Sequence, residues 1–383
     1  MRSPEAVFIF SDELSKYPYP SDCPFNNGRS AETKKILDSM GLLSYRNMSV
    51  VRQDTAQRTV LKNFHTARYL HALKNAPKLH PDIELLRMGL GTPDCPVFRG
   101  MYEGAALGVG ATLKGVELIL EDKAGLAFNP AGGFHHAGPE LCAGFCYLND
   151  VALACKKFAD AGKRVFYLDI DVHHGDEVAY PFYDRSDIMT VSFHQNGRTL
   201  FPGTGFEEET GDADGKGYCI NLPLPVGTYD EAYMYAYKEL VPPLIKVFDP
   251  DVFVFELGAD TLSGDPLANL QLTNNTYADV INNLLSFDRP ILMTGGGGYN
   301  ISNTARAWAF AWSVLTGNDT SLEMGLGAGG VMMESTDWQG GLRDRQIPVT
   351  HQQSKAVEPS IENSVKKIQD LVFPIHGIDS DGK

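Results

Sequence analysis

Short β-branched or aromatic runs alternate with longer stretches of helical periodicity along most of this chain, and that alternation restricts its fold more than any other property. Val7–Phe10, Leu126–Phe128, Val165–Ile170, Met189–Phe193, Val252–Glu256 and Pro290–Thr294 read as strands. Helical patterns lie near 30–40, 58–75, 100–121, 147–161, 230–247, 276–286 and 302–316. Strands that take turns with helices predict an α/β chain with a central parallel sheet and helices on both faces, in which ligands bind beyond the carboxyl ends of the strands. The pattern puts reactive residues at that edge. His135 and His136 follow the run ending at Phe128, Asp171 and His173 follow the run from Val165, Asp260 follows Val252–Glu256, and Tyr299 follows Pro290–Thr294.

The 383 residues are read as one domain, 1–383, with a core over about 5–320. After about Ser335 the alternation lapses, and Gln339-Gly-Gly-Leu-Arg-Asp leads to an amphipathic helix near 361–372, so a helical appendage is expected over about 335–375, with Gly377–Lys383 frayed. The net charge of −15 argues against a nucleic-acid partner, because a phosphate-tracking surface is basic. Cysteines 23, 95, 142, 146, 155 and 219 form no CxxC pair, which fits a reducing compartment. The apolar run Ala6–Phe10, interrupted by Asp12, is too short for a signal-peptide core, and no stretch approaches the ~20 apolar residues of a membrane span. A cytoplasmic protein with no membrane partner is expected.

Tyr167-Leu-Asp-Ile-Asp-Val-His-His-Gly-Asp176 ends an apolar strand in a dense set of ionisable groups. Burying Asp169, Asp171, His173 and Asp176 is costly unless they bind a cation or one another. Asp171 and His173, two apart, leave an extended segment on the same face, and a carboxylate with an imidazole suits zinc or another divalent transition metal. The alternative is a helix N-terminus with Asp as cap, which needs one acid rather than three. Asp260, in Glu256-Leu-Gly-Ala-Asp260, can complete a three-ligand site that keeps a position open for water. Asp265 reads as a cap or turn residue.

His135 and His136 follow a glycine turn and suit general acid/base or electrostatic work; a chance pair on a surface loop is the alternative. Four glycines precede Tyr299, whose hydroxyl suits donation to a developing oxyanion, against the alternative of a ring packed in the core. A phosphate-cradling loop would need the lysine and Ser/Thr that this run lacks.

In order along the chain, Gly133-Phe-His-His136, Gly144-Phe-Cys-Tyr-Leu-Asn-Asp150, Asp169-Ile-Asp-Val-His-His-Gly-Asp176, Phe201-Pro-Gly-Thr-Gly205, Leu257-Gly-Ala-Asp260 and Gly295-Gly-Gly-Gly-Tyr299 resemble the zinc-dependent histone deacetylase family over roughly 11–316. Within it the chain looks most like the bacterial acetoin-utilisation-type, class I-like members, including the tail with Gly340-Gly-Leu-Arg. The resemblance implies a single-domain arginase/deacetylase fold and a hydrolase that removes acetyl or other acyl groups from lysine side chains. It makes Asp171, His173 and Asp260 the ligands of zinc, with ferrous iron able to use the same set. His136 becomes the general base and later acid, with Asp176 behind it; His135, with Asp169 behind it, acts through charge or a hydrogen bond; Tyr299 supports the oxyanion as metal-activated water attacks the amide.

Gly144, Phe145 and Phe201 would shape a narrow tube for the lysine stem, against core packing for either phenylalanine alone; Asp94 would hold the substrate backbone at the rim, against a turn residue after proline; and Arg29 would stand behind the site near an acetate exit, against a helix-start arginine paired with an acid. Structural potassium would use Asp169, Asp171, His173, Ser192 and Phe193, some through carbonyls. Leu267 stands where polyamine deacetylases carry a gatekeeper glutamate, which favours acyl-lysine. Glu177 and Glu256 depart from the family's usual glycine and glutamine. The rival readings are an acetylpolyamine or other small-amine deacetylase, an arginase-like binuclear manganese hydrolase, and a catalytically silent acyl-lysine-binding module.

Overall fold

A computed structural model describes residues 5–80, 82–319 and 341–379. Among these, eight strands make one sheet: β1 (Ala6–Ile9), β2 (Met48–Val51), β3 (Leu126–Asn129), β4 (Val165–Asp169), β5 (Ile188–Gln195), β6 (Cys219–Leu224), β7 (Val252–Glu256) and β8 (Ile291–Thr294). The order across it is β2-β1-β3-β8-β7-β4-β5-β6, and every neighbouring pair is parallel. Successive strand residues face opposite sides. Phe8, Phe166, Leu168, Phe253 and Met293 join one core with the helices Asp230–Phe248, Asn274–Leu285 and Ile301–Leu315. Val7, Val165, Tyr167, Val254 and Leu292 join the other with Met101–Leu120 and Asp150–Asp160. Both faces are thus covered by helices, as strands apolar on both sides require.

All six expected strands are present, and the two that sequence did not suggest are the edges. β2 is four residues long and only half buried, so its apolar signal is weak. β6 carries Pro223, which cannot donate to a ladder and is tolerated because the strand lies at the edge.

The helix expected over 58–75 is two, Arg58–Leu61 and Ala67–Asn75. The break comes at Thr66, whose extended backbone and hydroxyl cap the second helix by accepting from the Tyr69 N–H. The C-terminal helix is longer than expected, His351–His376, because Pro359 and Pro374 lie inside it rather than at its ends. Its buried stripe of Val357, Ile361, Val365, Ile368 and Val372 follows three- and four-residue spacing and packs on β6 and on Asp230–Phe248. The expected tail residues 335–340, Gly340 among them, lie outside the described residues.

Candidate active site

β3, β8, β7 and β4 are consecutive across the middle of the sheet, so their carboxyl ends at Asn129, Thr294, Glu256 and Asp169 open onto one place. The loops leaving them bring together Asp171, His173 and Asp260. All three are buried, and one potential ligand atom from each lies within 4.8 Å of the others. His173 Nδ1 is 3.1 Å from both Asp171 Oδ1 and Asp260 Oδ2. The glycine run closes over this group: the Gly297 N–H donates to Asp171 Oδ2, and a Cβ at Gly297 would stand 1.9 Å from Asp260 Oδ2.

His135 and His136 arrive from the β3 loop beside the same cluster. His135 Nδ1 lies 2.9 Å from Asp169 Oδ2, His136 Nδ1 lies 2.8 Å from Asp176 Oδ1, and the two Nε2 atoms face each other at 3.0 Å. With both Nδ1–H groups directed at carboxylates, one imidazole must donate its Nε2–H to the other.

The Tyr299 ring completes the floor, 5.7 Å from the Phe145 ring and 6.4 Å from that of His173. Its main-chain N–H donates to Asp265 Oδ2 at 2.7 Å, so Asp265 anchors the tyrosine as well as bonding the Leu267 N–H in its own turn. Leu267 is half-buried on that turn. Arg29 is buried and donates to the Gly298 and Gly296 carbonyls, acting as a strut behind the glycine run.

A cleft of about 260 Å³ leads down to His135, His136, Asp171, His173 and Tyr299. Phe201 stands 5.0 Å from the His136 ring, and Phe145 is held at φ +66° by its surroundings. Between them Gly144 is obligatory. It is at φ +53°, and a Cβ would meet His136 Cδ2 at 2.5 Å and Phe201 Cε1 at 3.1 Å. Asp94 Oδ2 accepts the Gly144 N–H at 2.8 Å and so belongs to the same wall. Behind the floor a second cavity of about 430 Å³, lined by Arg29, Tyr19 and Met101, shares Phe25 and Phe134 with the first.

A family model for the histone deacetylase domain matches residues 23–315. The chain belongs to the histone deacetylase family. Histone deacetylase 8 of Danio rerio is 35% identical over 332 residues, 84% of this chain and 85% of the fish protein. Histone deacetylase 3 of Oryza sativa subsp. japonica is 36% identical over 82% of this chain, which spans 61% of the plant protein's length. Among solved structures, an HDAC homologue complexed with SAHA matches with a TM-score of 0.85 at 29% identity, over 96% of this chain and 100% of that one. The HDAC homologue from Aquifex aeolicus matches with a TM-score of 0.82 at 28% identity, over the same shares.

In this histone deacetylase family member the burial of so many charges sorts their proton affinities. Burial alone would lower the His173 pKa, but Asp171 and Asp260 outweigh it and raise it to about 10. Asp260 is pushed up to about 7 by burial and then by the charge of Asp171. The cluster therefore holds a proton near neutral pH, and a divalent ion taking these ligands would have to displace it. Binding of zinc is expected to release on the order of one proton per ion, measurable by titration calorimetry in buffers of different ionisation enthalpy. Heats independent of the buffer would show that these groups do not take the ion.

Burial likewise opposes charge on the two histidines of the β3 loop, with different results. Glu256, Asp169 and Asp171 overcome burial at His135 and raise it; at His136 burial, His135 and His173 all lower it. His135 is the charged partner and His136 the neutral one.

Three contributors escaped sequence reading. Glu256, known only as a departure, places Oε1 3.1 Å from His135 Nδ1. Tyr167 directs its hydroxyl at Asp169 Oδ2 and Glu256 Oε2, at 2.6 and 2.8 Å. Strand alternation held the signal for it, since Tyr167 and Asp169 are two apart on β4. Asn149 accepts the Ala152 N–H as helix cap and shares its amide hydrogens among the carbonyls of His135, Ala137 and Glu177. Asn149→Ala is expected to cost about 3 kcal/mol, from a lost cap and buried carbonyls left without donors. Denaturant midpoints at unchanged slope measure it; a change below ~0.5 kcal/mol, the range of surface substitutions, would mean the carbonyls find other donors.

Proposed function

We propose that this chain is a metal-dependent hydrolase that removes acetyl groups from the lysine side chains of proteins. The observation that carries the reading is the convergence of Asp171, His173 and Asp260 with His135, His136 and Tyr299 at the floor of one narrow cleft. The three donors, two carboxylates and an imidazole, fit zinc or ferrous iron. Such an ion, when bound, supplies Lewis acidity that polarises an amide carbonyl and lowers the pKa of water toward ~7.

His136 is the general base: its Nδ1–H is held by Asp176, and its unprotonated Nε2, which faces His135 Nε2 at 3.0 Å, exchanges that contact for the proton of attacking water and returns it to the leaving amine. His135, held by Asp169, stays charged beside it. Tyr299 donates its hydroxyl to the oxygen that gains charge. Phe145 and Phe201 enclose the apolar lysine stem, Gly144 leaves it room, and Asp94 takes the substrate's backbone amides at the rim. The cavity beside Arg29 is the exit for acetate. A structural potassium site on Asp169, Asp171, His173, Ser192 and Phe193 belongs to the same reading, supported by the pairing of Asp169 with Ser192 across β4 and β5.

A small acetylated amine is the second reading, favoured by the net charge of −15 and opposed by the apolar Leu267. The two separate when acetate release is followed on an acetyl-lysine peptide and on acetylputrescine, with protein stripped of metal and then given zinc. Preference for the peptide is expected. Preference for acetylputrescine would transfer the function to small amines, and no release from either would leave a binding module or a longer acyl group.

A further inference from the structure

The segment between helices Ile83–Arg87 and Met101–Leu120 carries more than Asp94. It is closed on itself by the Gly91 N–H to the Cys95 carbonyl at 2.9 Å, and the Phe145 N–H donates to the Asp94 carbonyl at 3.1 Å. The loop is therefore fixed to the wall of the cleft. Beside it Ile83, Leu86 and Val97 are 70%, 49% and 36% exposed. Leu86 and Val97 flank Gly91: a Cβ placed there would lie 3.9 Å from Leu86 Cδ2 and 4.0 Å from Val97 Cγ2, so the glycine leaves a shallow apolar notch between them.

The acids of the adjoining helix do not confront a ligand there. Glu84 is paired with Arg68 at 2.9 Å, and Asp82 accepts the Leu85 N–H as cap. Isolated exposed aliphatic residues need no explanation, but here Leu86, on the helix, and Val97, on the loop, stand on either side of Gly91 in a segment whose Asp94 holds the Gly144 N–H in the wall of the cleft.

A small amine bound in the cleft would end at its mouth. A peptide continues across the rim, advancing ~3.3 Å per residue with side chains on alternate sides, so residues flanking the lysine cover surface that a small amine never meets. We infer that Leu86 and Val97 form a specificity notch for an apolar side chain next to the acyl-lysine in a polypeptide substrate, an inference that rests on the protein-lysine reading above.

The test is kcat/KM on acetyl-lysine peptides carrying Leu, Phe, Ser or Asp at the two positions on either side, alongside a blocked single acetyl-lysine that has no neighbours. Burying one such side chain corresponds to a preference of roughly tenfold for Leu or Phe over Asp at one position, expressed in KM. The double variant Leu86→Ser, Val97→Ser should reduce it to within about twofold while leaving the single-residue substrate untouched; Val97→Lys should turn the preference toward Asp. Equal rates on all peptides with wild-type protein, or a preference unchanged in the double variant, overturns the notch while the single-residue substrate is still cleaved. Failure to cleave that substrate as well overturns the deacetylase reading and the notch with it.

Discussion

His136→Ala is expected to retain bound metal while kcat falls by about 10²–10⁴, the range of a lost general acid/base. The expectation follows from how the histidines are held. His136 has Nδ1 on Asp176 and its Nε2 3.0 Å from His135 Nε2 in the lining of the cleft, and burial with the neighbouring positive groups lowers its pKa. A divalent ion replacing the proton on His173 keeps positive charge there, so the direction stands in the loaded protein. His135 differs: with Asp169 at 2.9 Å and Glu256 at 3.1 Å from Nδ1 it holds its proton too tightly to accept another. Because His136 sheds its proton below the usual imidazole range, the acid limb of kcat/KM in the wild-type protein should fall below about pH 6.5. Metal content by elemental analysis and single-turnover rates test the variant together. Near-normal turnover with metal in place would remove His136 from the base role, and turnover lost only in proportion to lost metal would make it a support for the metal cluster.

How much of this site the chain displays in its sequence depends on the range of each contact. Asp171 and His173 are legible because strand geometry settles which side chains share a face, and Gly144 and the run before Tyr299 are legible because only glycine fits so close to other groups. Asp265 is instead readable as a turn residue and is one, but its second oxygen meets an amide 34 positions away, which no local rule anticipates. Glu256 meets His135 only because β7 pairs with β4 in the register that sets Glu256 beside Asp169. Pairing of this kind is decided by the whole sheet. The C-terminal helix extends past the expected 361–372 for another reason: a stripe of buried residues holds it through Pro359 and Pro374, although proline disfavours a helix interior.

Tyr299→Phe is expected to lower kcat by about 10²–10³ and to change KM much less. The substitution removes one oxygen atom and leaves what positions the ring: the contact with Phe145 and the main-chain bond to Asp265 do not involve the hydroxyl. Any loss must then come from what the hydroxyl does during the reaction. An amide carbonyl in the ground state is a modest acceptor, and the oxygen of the tetrahedral state is nearly an anion, so a donor fixed beside it stabilises the second far more than the first. Burial, followed by the charges of Asp260 and Asp171, raises the Tyr299 pKa, so the hydroxyl keeps its proton at every pH at which the protein works and remains a donor. The loss should accordingly be the same across the pH profile. A rise in KM at constant kcat would assign the hydroxyl to substrate binding, an unchanged kcat would remove the oxyanion role, and a loss confined to high pH would mean that Tyr299 acts by giving up its proton.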